Sequence, residues 1–215
     1  VIVKLINMID LRKKIIFIHI HKVAGKSISA AMENNYIPKL IQNNEYFRWK
    51  YKKYFLRNTI FTKRDSLTTH SYAVDYKNYL KKDYKNFFSF AFVRNPLDWQ
   101  VSMYFYMKNA TGHPQHNLIN KMSFNEYIEW RCLNEVTFQK DYLVDNNGKL
   151  IVDFIGRYEN LLLDIRKIEK QSGLIFNLPH LNRSNHENYL KYYNKSSKDL
   201  IYKYFKKDFE MLNYE

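Results

Sequence analysis

Apolar residues in this chain fall into short runs separated by stretches of helical periodicity. Residues 15–20 are apolar apart from His19, are mostly β-branched and precede a polar turn, which predicts a buried strand. Residues 87–93 are apolar almost throughout and predict a central parallel strand that ends before Pro96. A third strand is predicted over residues 150–155, after the tight turn at residues 146–148.

Helical patterns follow or separate these strands. The predicted helices span residues 28–34, 73–82, 97–109, 124–134, 161–170 and 198–212. Ser71 is predicted to cap the second of them, which leaves His70 just outside the helix start. Strands that alternate with helices indicate a single α/β domain over residues 1–215, with a mostly parallel central sheet flanked by helices.

Composition narrows the class of protein. With 46% hydrophobic and 17% aromatic residues, the 215-residue chain has enough apolar surface for a core, which excludes low-complexity disorder. No uncharged apolar run approaches the ~20 residues of a membrane-spanning helix, so we expect no membrane span. Cys132 is the only cysteine, so the chain has no internal disulfide and no zinc-binding cysteine cluster. A reducing compartment, the cytoplasm, is expected.

The charge balance points to an anionic partner without naming it. Lys and Arg number 35 against 21 Asp and Glu, a formal net charge of +14. Such a charge favours nucleic acid, a nucleotide or an acidic glycan. However, AT-rich coding yields the same Lys-, Asn- and Ile-rich composition, and the charge is spread along the chain. Composition therefore leaves the partner open.

The first strand-loop-helix junction predicts a phosphate site. Open α/β sheets bind ligands where strands end, and amides at a helix start bind anions. Gly25 lets a ligand approach the backbone closely, Lys22 and Lys26 add positive charge, and Ser27 adds a hydroxyl. The residues expected to bind the phosphate are Lys22, Val23, Ala24, Gly25, Lys26, Ser27 and Ile28.

The second junction predicts another anion site. Arg94 directly follows the second strand, and Ser102 lies about two turns inside the next helix, so both side chains are candidates for a second phosphate. Two alternatives stay open at this point. Arg94 pairs with Asp98 or caps carbonyls, and Ser102 is an ordinary buried helix serine.

Taken in order, these segments resemble the carbohydrate sulfotransferases of the heparan 2-O type, often called family 2. The loop signature of that family is similar to FIHIHKVAGKSI at residues 17–28, and its second signature is similar to FVRNPLDWQVSMY at residues 92–104. Further similarity lies at residues 152–161, 178–184 and 207–214. The resemblance covers about residues 15–215, and the agreement of five segments in order is more specific than any one of them.

The resemblance implies a donor and residue roles. The donor is 3′-phosphoadenosine 5′-phosphosulfate (PAPS), and the product is adenosine 3′,5′-bisphosphate. Lys22 and its P-loop-like loop hold the 5′-phosphosulfate, and Arg94 and Ser102 hold the 3′-phosphate. Arg183 lies in a late segment that covers the nucleotide, and His70 is the candidate base that takes a proton from the acceptor hydroxyl. We expect a saccharide acceptor, no metal and no specific nucleic acid.

Two other interpretations compete with this one. AGKS at residues 24–27 is also the tail of a kinase or NTPase P-loop, but Ile20 stands where that motif needs glycine, and Arg94 stands where a metal-holding Asp is expected. The second interpretation is a basic module that binds nucleic acid or polyanions without catalysis. Relatives in animals are usually anchored in the Golgi, so the Golgi lumen is the alternative location if an anchor precedes this chain.

Overall fold

The architecture comes from a computed structural model, which describes residues 8–51, 67–178 and 188–215. Its 4-stranded sheet has the order β1–β2–β3–β4, formed by Ile9–Asp10, Ile15–Ile18, Phe88–Val93 and Phe154–Arg157. The α-helices in these ranges are α1 (Gly25–Asn34), α2 (Lys39–Gln42), α3 (Glu45–Tyr51), α4 (Ala73–Leu80), α5 (Pro96–Asn109), α6 (His116–Ile119), α7 (Phe124–Asn134), α8 (Leu161–Ser172), α9 (Lys195–Tyr204) and α10 (Lys206–Leu212).

Strand β2 lies inside the sheet. It pairs antiparallel with β1 and parallel with β3, where Ile18 is opposite Ala91. All four residues of β2 are buried, as expected for a strand covered on both faces. Phe17 stacks on Phe90 of β3 with ring centroids 5.0 Å apart. The predicted α/β class with a mostly parallel central sheet is confirmed.

Strand β4 begins later than predicted. Leu150 forms an isolated bridge with Val144 across the predicted turn, and the strand itself starts at Phe154. The Asp153 carboxylate accepts hydrogen bonds from the Ser89 N–H at 2.8 Å and the Ser89 hydroxyl at 2.7 Å. These bonds attach the chain to β3 just before the strand begins.

The cap of α4 and the extent of the last helix differ from the sequence prediction. Ser71 does not cap α4, because its hydroxyl accepts the Thr68 N–H at 2.8 Å, while the Asp75 carboxylate accepts the N–H of Tyr72 at the helix start. The last predicted helix is two helices, α9 and α10, which meet at the fully buried Phe205.

The fold divides into two compact units. The first consists of Val1–Phe92 and Tyr142–Leu181, and its core includes Phe17, Ile28 and Phe90. The second consists of Val93–Asp141 and Asn182–Glu215 and has a core built around Trp99, Tyr127 and Phe205. The expectation of one domain over residues 1–215 stays a prediction.

Candidate functional site

The β2–α1 loop, residues 19–24, leaves the sheet at the end of β2. Lys22 and Ala24 both adopt the left-handed conformation, with φ of 64°. That conformation costs a non-glycine residue about 1–2 kcal/mol, so the surrounding fold holds the loop in this shape. Left-handed residues beside right-handed ones form the backbone concavities that bind anions in other proteins.

The start of α1 leaves amide donors available. Ala24 is the N-cap residue and makes no side-chain cap, while its carbonyl accepts the N–H groups of Ser27 at 2.9 Å and Ile28 at 3.1 Å. Within the described ranges, no acceptor binds the N–H groups of Gly25 and Lys26. Two donors at the positive end of a helix therefore suit an anion.

Side chains of the loop divide into cations and core residues. Lys22 is half-buried and Lys26 is exposed, so both ammonium groups add positive charge around the helix start. Val23 and Ile28 are fully buried and contribute apolar packing, which leaves only their backbones for ligand contact. Ser27 is also buried.

The His19 side chain leaves room only for glycine at position 25. A Cβ atom at this position would lie 1.7 Å from Nε2 of His19, so no other residue fits without displacing the imidazole. The sequence suggested that Gly25 admits a ligand, and in the structure His19 is the group that approaches it. His19 is 7% exposed and stacks on Phe17 with ring centroids 5.5 Å apart.

His70 lies beside this loop with a defined orientation. Its Nδ1 is 2.8 Å from the carbonyl oxygen of His19. Because a carbonyl only accepts, Nδ1 carries the proton, and Nε2 of the neutral ring keeps its lone pair. His21 stacks on His70 with ring centroids 3.5 Å apart, and the His19 ring lies 4.5 Å away.

His19 is the most deeply buried member of this histidine cluster. Burial, together with the nearby His70, His21 and Lys26, lowers the pKa of His19 to about 3. His19 therefore stays neutral at physiological pH and serves as a packing residue, whereas His70 is half-buried and keeps a lone pair on Nε2. Sequence reasoning named His70 but missed the stacking of His21, for which the sequence carries no signal across the intervening residues.

In the second unit, Arg94 lies just after β3 and is 3% exposed. Its Nε donates to Oδ2 of Asp98 at 2.7 Å, one helical turn along the chain. The ion pair that the sequence left open as an alternative role for Arg94 is therefore present. Asn95 caps α5 by accepting the N–H of Leu97 at 2.9 Å.

Ser102 and Trp99 lie inside α5. Both are buried, and Trp99 belongs to the core of the second unit. Arg183 is outside the described residues, so its proposed contact with the nucleotide stays a prediction. Within the described ranges, no group of three or more His, Cys, Asp or Glu residues is arranged to hold a metal ion. Nor does any helix in those ranges have the length and apolarity needed to cross a membrane.

Comparison with known proteins gives one family. The sequence model of the Sulfotransferase family matches residues 7–215. A protein of Archaeoglobus fulgidus described as uncharacterized is 34% identical over 113 residues, which cover 52% of this chain and 89% of that protein. No solved structure matches the chain at a significant level.

The family match covers both strand ends described above. It spans the β2–α1 loop with its available amides and the Arg94 segment after β3. The resemblance to sulfotransferases is thereby confirmed, and the kinase alternative loses its support. The chain belongs to the sulfotransferase family, whose enzymes transfer sulfuryl groups.

Proposed function

We propose that this enzyme transfers the sulfuryl group of PAPS to a hydroxyl of a saccharide. The observation that carries the proposal is the environment of His70. Its Nδ1–H donates to the His19 carbonyl, so Nε2 is the basic nitrogen of the neutral ring, and the ring lies beside a loop with available amide donors and two lysines. A base and an anion site in one unit are what transfer from a phosphosulfate to a hydroxyl requires.

The residues present fit the proposed donor. The N–H groups of Gly25 and Lys26 and the ammonium of Lys22 suit a phosphosulfate group, and we assign them to the 5′ end. Val23, Ala24, Ser27 and Ile28 shape this loop through their backbones. We assign the 3′-phosphate to Arg94 and Ser102, with Arg183 as a further contact.

Each residue has a distinct task in this scheme. PAPS, when bound, supplies a sulfuryl group with a phosphate as leaving group. Lys22 neutralises negative charge that develops on that phosphate. His70 Nε2 takes the proton of the attacking hydroxyl, and the resulting imidazolium remains hydrogen-bonded through Nδ1–H to the His19 carbonyl. His19 itself takes no proton because its pKa is about 3.

We further propose an anionic saccharide as acceptor. The support is the net charge of +14, which raises the local concentration of anionic ligands at low ionic strength. With labelled PAPS and a panel of saccharides, transfer to anionic acceptors is expected to fall as salt rises. Equal transfer to neutral acceptors at all ionic strengths contradicts an anionic acceptor.

Titration calorimetry without magnesium tests the donor site. We expect adenosine 3′,5′-bisphosphate to bind more tightly than AMP or ADP, and Arg94→Ala to cost about 2 kcal/mol of that binding. Arg131→Ala is the matched control, because Arg131 is equally buried in the second unit and forms an i,i+4 ion pair with Glu135 at 2.8 Å.

Three results contradict the donor proposal. The first is tighter binding of ADP or ATP that requires magnesium, which favours a P-loop enzyme. The second is an equal loss of binding in both arginine variants, because it assigns Arg94 a structural role only. The third is retention on DNA with no nucleotide binding at all, which favours a basic binding module.

A further inference from the structure

The backbone of Arg94 is held by a side chain that lies 45 residues away in sequence. Oε1 of Gln139 accepts the N–H of Arg94 at 2.9 Å, and Nε2 of Gln139 donates to the carbonyl of Arg94 at 2.7 Å. Gln139 is fully buried. Its amide therefore binds both polar groups of the Arg94 backbone just after β3, as a peptide group of a neighbouring strand would.

Gln139 is itself fixed from the C-terminal helix. Oδ2 of Asp208, in α10, accepts the N–H of Gln139 at 2.9 Å, and Oδ1 accepts the N–H of Lys140 at the same distance. Asp208 is fully buried. The three residues Asp208, Gln139 and Arg94 thus form a continuous chain of buried hydrogen bonds from α10 to the segment after β3.

This arrangement fixes both parts of Arg94. Gln139 sets the position of its backbone, and Asp98 receives its Nε at 2.7 Å, which orients the guanidinium. An apolar residue at position 139 would leave the N–H and the carbonyl of Arg94 buried without these bonds. A buried backbone group without a partner is costly, so the segment would move to regain one.

We propose that Gln139 is a positioning residue for the nucleotide 3′-phosphate site, with Asp208 as its anchor. The inference rests on the proposed function, since it takes Arg94 as the group that binds the 3′-phosphate. It goes further by assigning that site two residues that touch no phosphate themselves. Displacement of the guanidinium by a fraction of an ångström is enough to weaken a charge-assisted hydrogen bond.

The test isolates the 3′-phosphate from the rest of the nucleotide. Adenosine 3′,5′-bisphosphate and AMP differ only in that group. The dissociation constant of AMP divided by that of adenosine 3′,5′-bisphosphate therefore measures the contribution of the 3′-phosphate to binding, and this quotient is the ratio used below. A general loosening of the protein weakens both ligands and leaves the ratio unchanged. Gln139→Met is expected to reduce the ratio about tenfold while the affinity for AMP changes by less than about twofold.

The control is a second buried amide of the same unit. Gln100 is also fully buried, and its Oε1 accepts the hydroxyl of Tyr127 at 3.0 Å. Gln100→Met makes the same chemical change and is expected to leave the ratio at its wild-type value. The double variant Gln139→Met with Arg94→Ala is expected to have the same ratio of dissociation constants as Arg94→Ala alone.

Two outcomes overturn the inference. One is an unchanged ratio in Gln139→Met, and the other is an equal loss in Gln139→Met and Gln100→Met. If Arg94→Ala also leaves the ratio unchanged, the proposed function fails as well, and the two failures are thereby distinguished. If Gln139→Met does not fold, Gln139→Asn takes its place, because that amide is one methylene too short to keep both bonds.

Discussion

The ends of β2 and β3 use different means to present positive charge. At the end of β2, the donors are main-chain amides at an uncapped helix start, and Ala24 adds no side-chain cap. At the end of β3, the helix start is already capped by Asn95, and the cation is the Arg94 side chain. The first site therefore depends on backbone shape, and the second depends on buried polar side chains.

This difference determines which substitutions each site tolerates. The first site fails when a side chain no longer fits, as at Gly25 beside His19. The second fails when a hydrogen-bond partner is removed, as at Gln139. A steric clash at Gly25 is expected to lower the free energy of unfolding, and a missing hydrogen bond at Gln139 is expected to weaken ligand binding. The two sites can therefore be told apart by measurement.

The largest expected effect comes from replacing His70, the base that we propose beside the end of β2. In His70→Asn, the amide of the new residue keeps a donor for the His19 carbonyl, but the basic Nε2 is absent. We expect sulfuryl transfer to fall about 10²–10⁴-fold, while binding of adenosine 3′,5′-bisphosphate is unchanged. Initial rates with labelled PAPS and calorimetry measure the two quantities.

His113→Asn is the matched control for that variant. His113 lies in the second unit, where its Nδ1 accepts the N–H of Gln115 at 3.2 Å. It is expected to retain wild-type transfer. If His70→Asn retains transfer within about threefold of the wild type, the base is a different group.

The next effect concerns steric fit at the start of α1. Gly25→Ala brings a Cβ atom against the His19 ring, so we expect the free energy of unfolding to fall by about 3 kcal/mol. Gly112→Ala is the control, because a Cβ there meets no atom within 4 Å. Urea denaturation measures both, and the control is expected to change stability by less than about 0.5 kcal/mol.

Removal of the imidazole tests the cause of that loss. In His19→Ala, the Gly25→Ala substitution is expected to cost much less than in the wild-type background, because the clashing ring is absent. Equal costs in both backgrounds assign the loss to the backbone of α1 instead of to the contact with His19.

The smallest effect is a pair of opposite pH dependences. The folded-state pKa of His19 is lowered from 6.5 to about 3. As the pH drops below 6.5, His19 is therefore protonated in the unfolded chain but not in the folded protein, and the free energy of unfolding falls. Burial raises the pKa of Asp208 from 3.8 to about 6. The folded state therefore keeps that proton longer, and stability falls as the pH rises from about 4 to 6.

Single variants separate these two contributions. Wild-type stability gains a contribution from His19 as the pH rises, and His19→Gln is expected to remove that gain. Asp208 lowers wild-type stability by about 2 kcal/mol between about pH 4 and 6, and Asp208→Asn is expected to remove that loss. Urea denaturation at about pH 4, 5 and 6 measures the slopes. A change of the same sign in both variants contradicts the assignment of the two groups.

Much of the fold near the site follows from local sequence. The apolar residues of β2 and β3 predict buried strands, and Pro96 marks the start of α5 because its fixed φ suits the first turn. Ser123 and Glu126 form a capping box before α7, whose helical pattern the sequence predicts over residues 124–134. In each case the determining residues are neighbours along the chain.

The features that the sequence did not reveal depend on distant partners. The helical pattern of the last segment runs on through Phe205, yet the chain breaks there and buries Asp208 against the backbone of Gln139. The close approach of His19 to Gly25 is equally invisible, because it depends on the shape of the loop between them. Local periodicity carries no information about such contacts.

The chain of bonds from Asp208 to Arg94 has a consequence for biosynthesis. Its two steps span 45 and 69 residues of sequence. At a synthesis rate of about 5–20 residues per second, Asp208 follows Gln139 from the ribosome after about 3 to 14 seconds. During that interval the nascent chain already contains the β2–α1 loop with all its residues, whereas Gln139, which binds the Arg94 backbone, still lacks its own anchor Asp208. Of the two proposed anion sites, the arginine site is therefore the later one to have all of its residues synthesised.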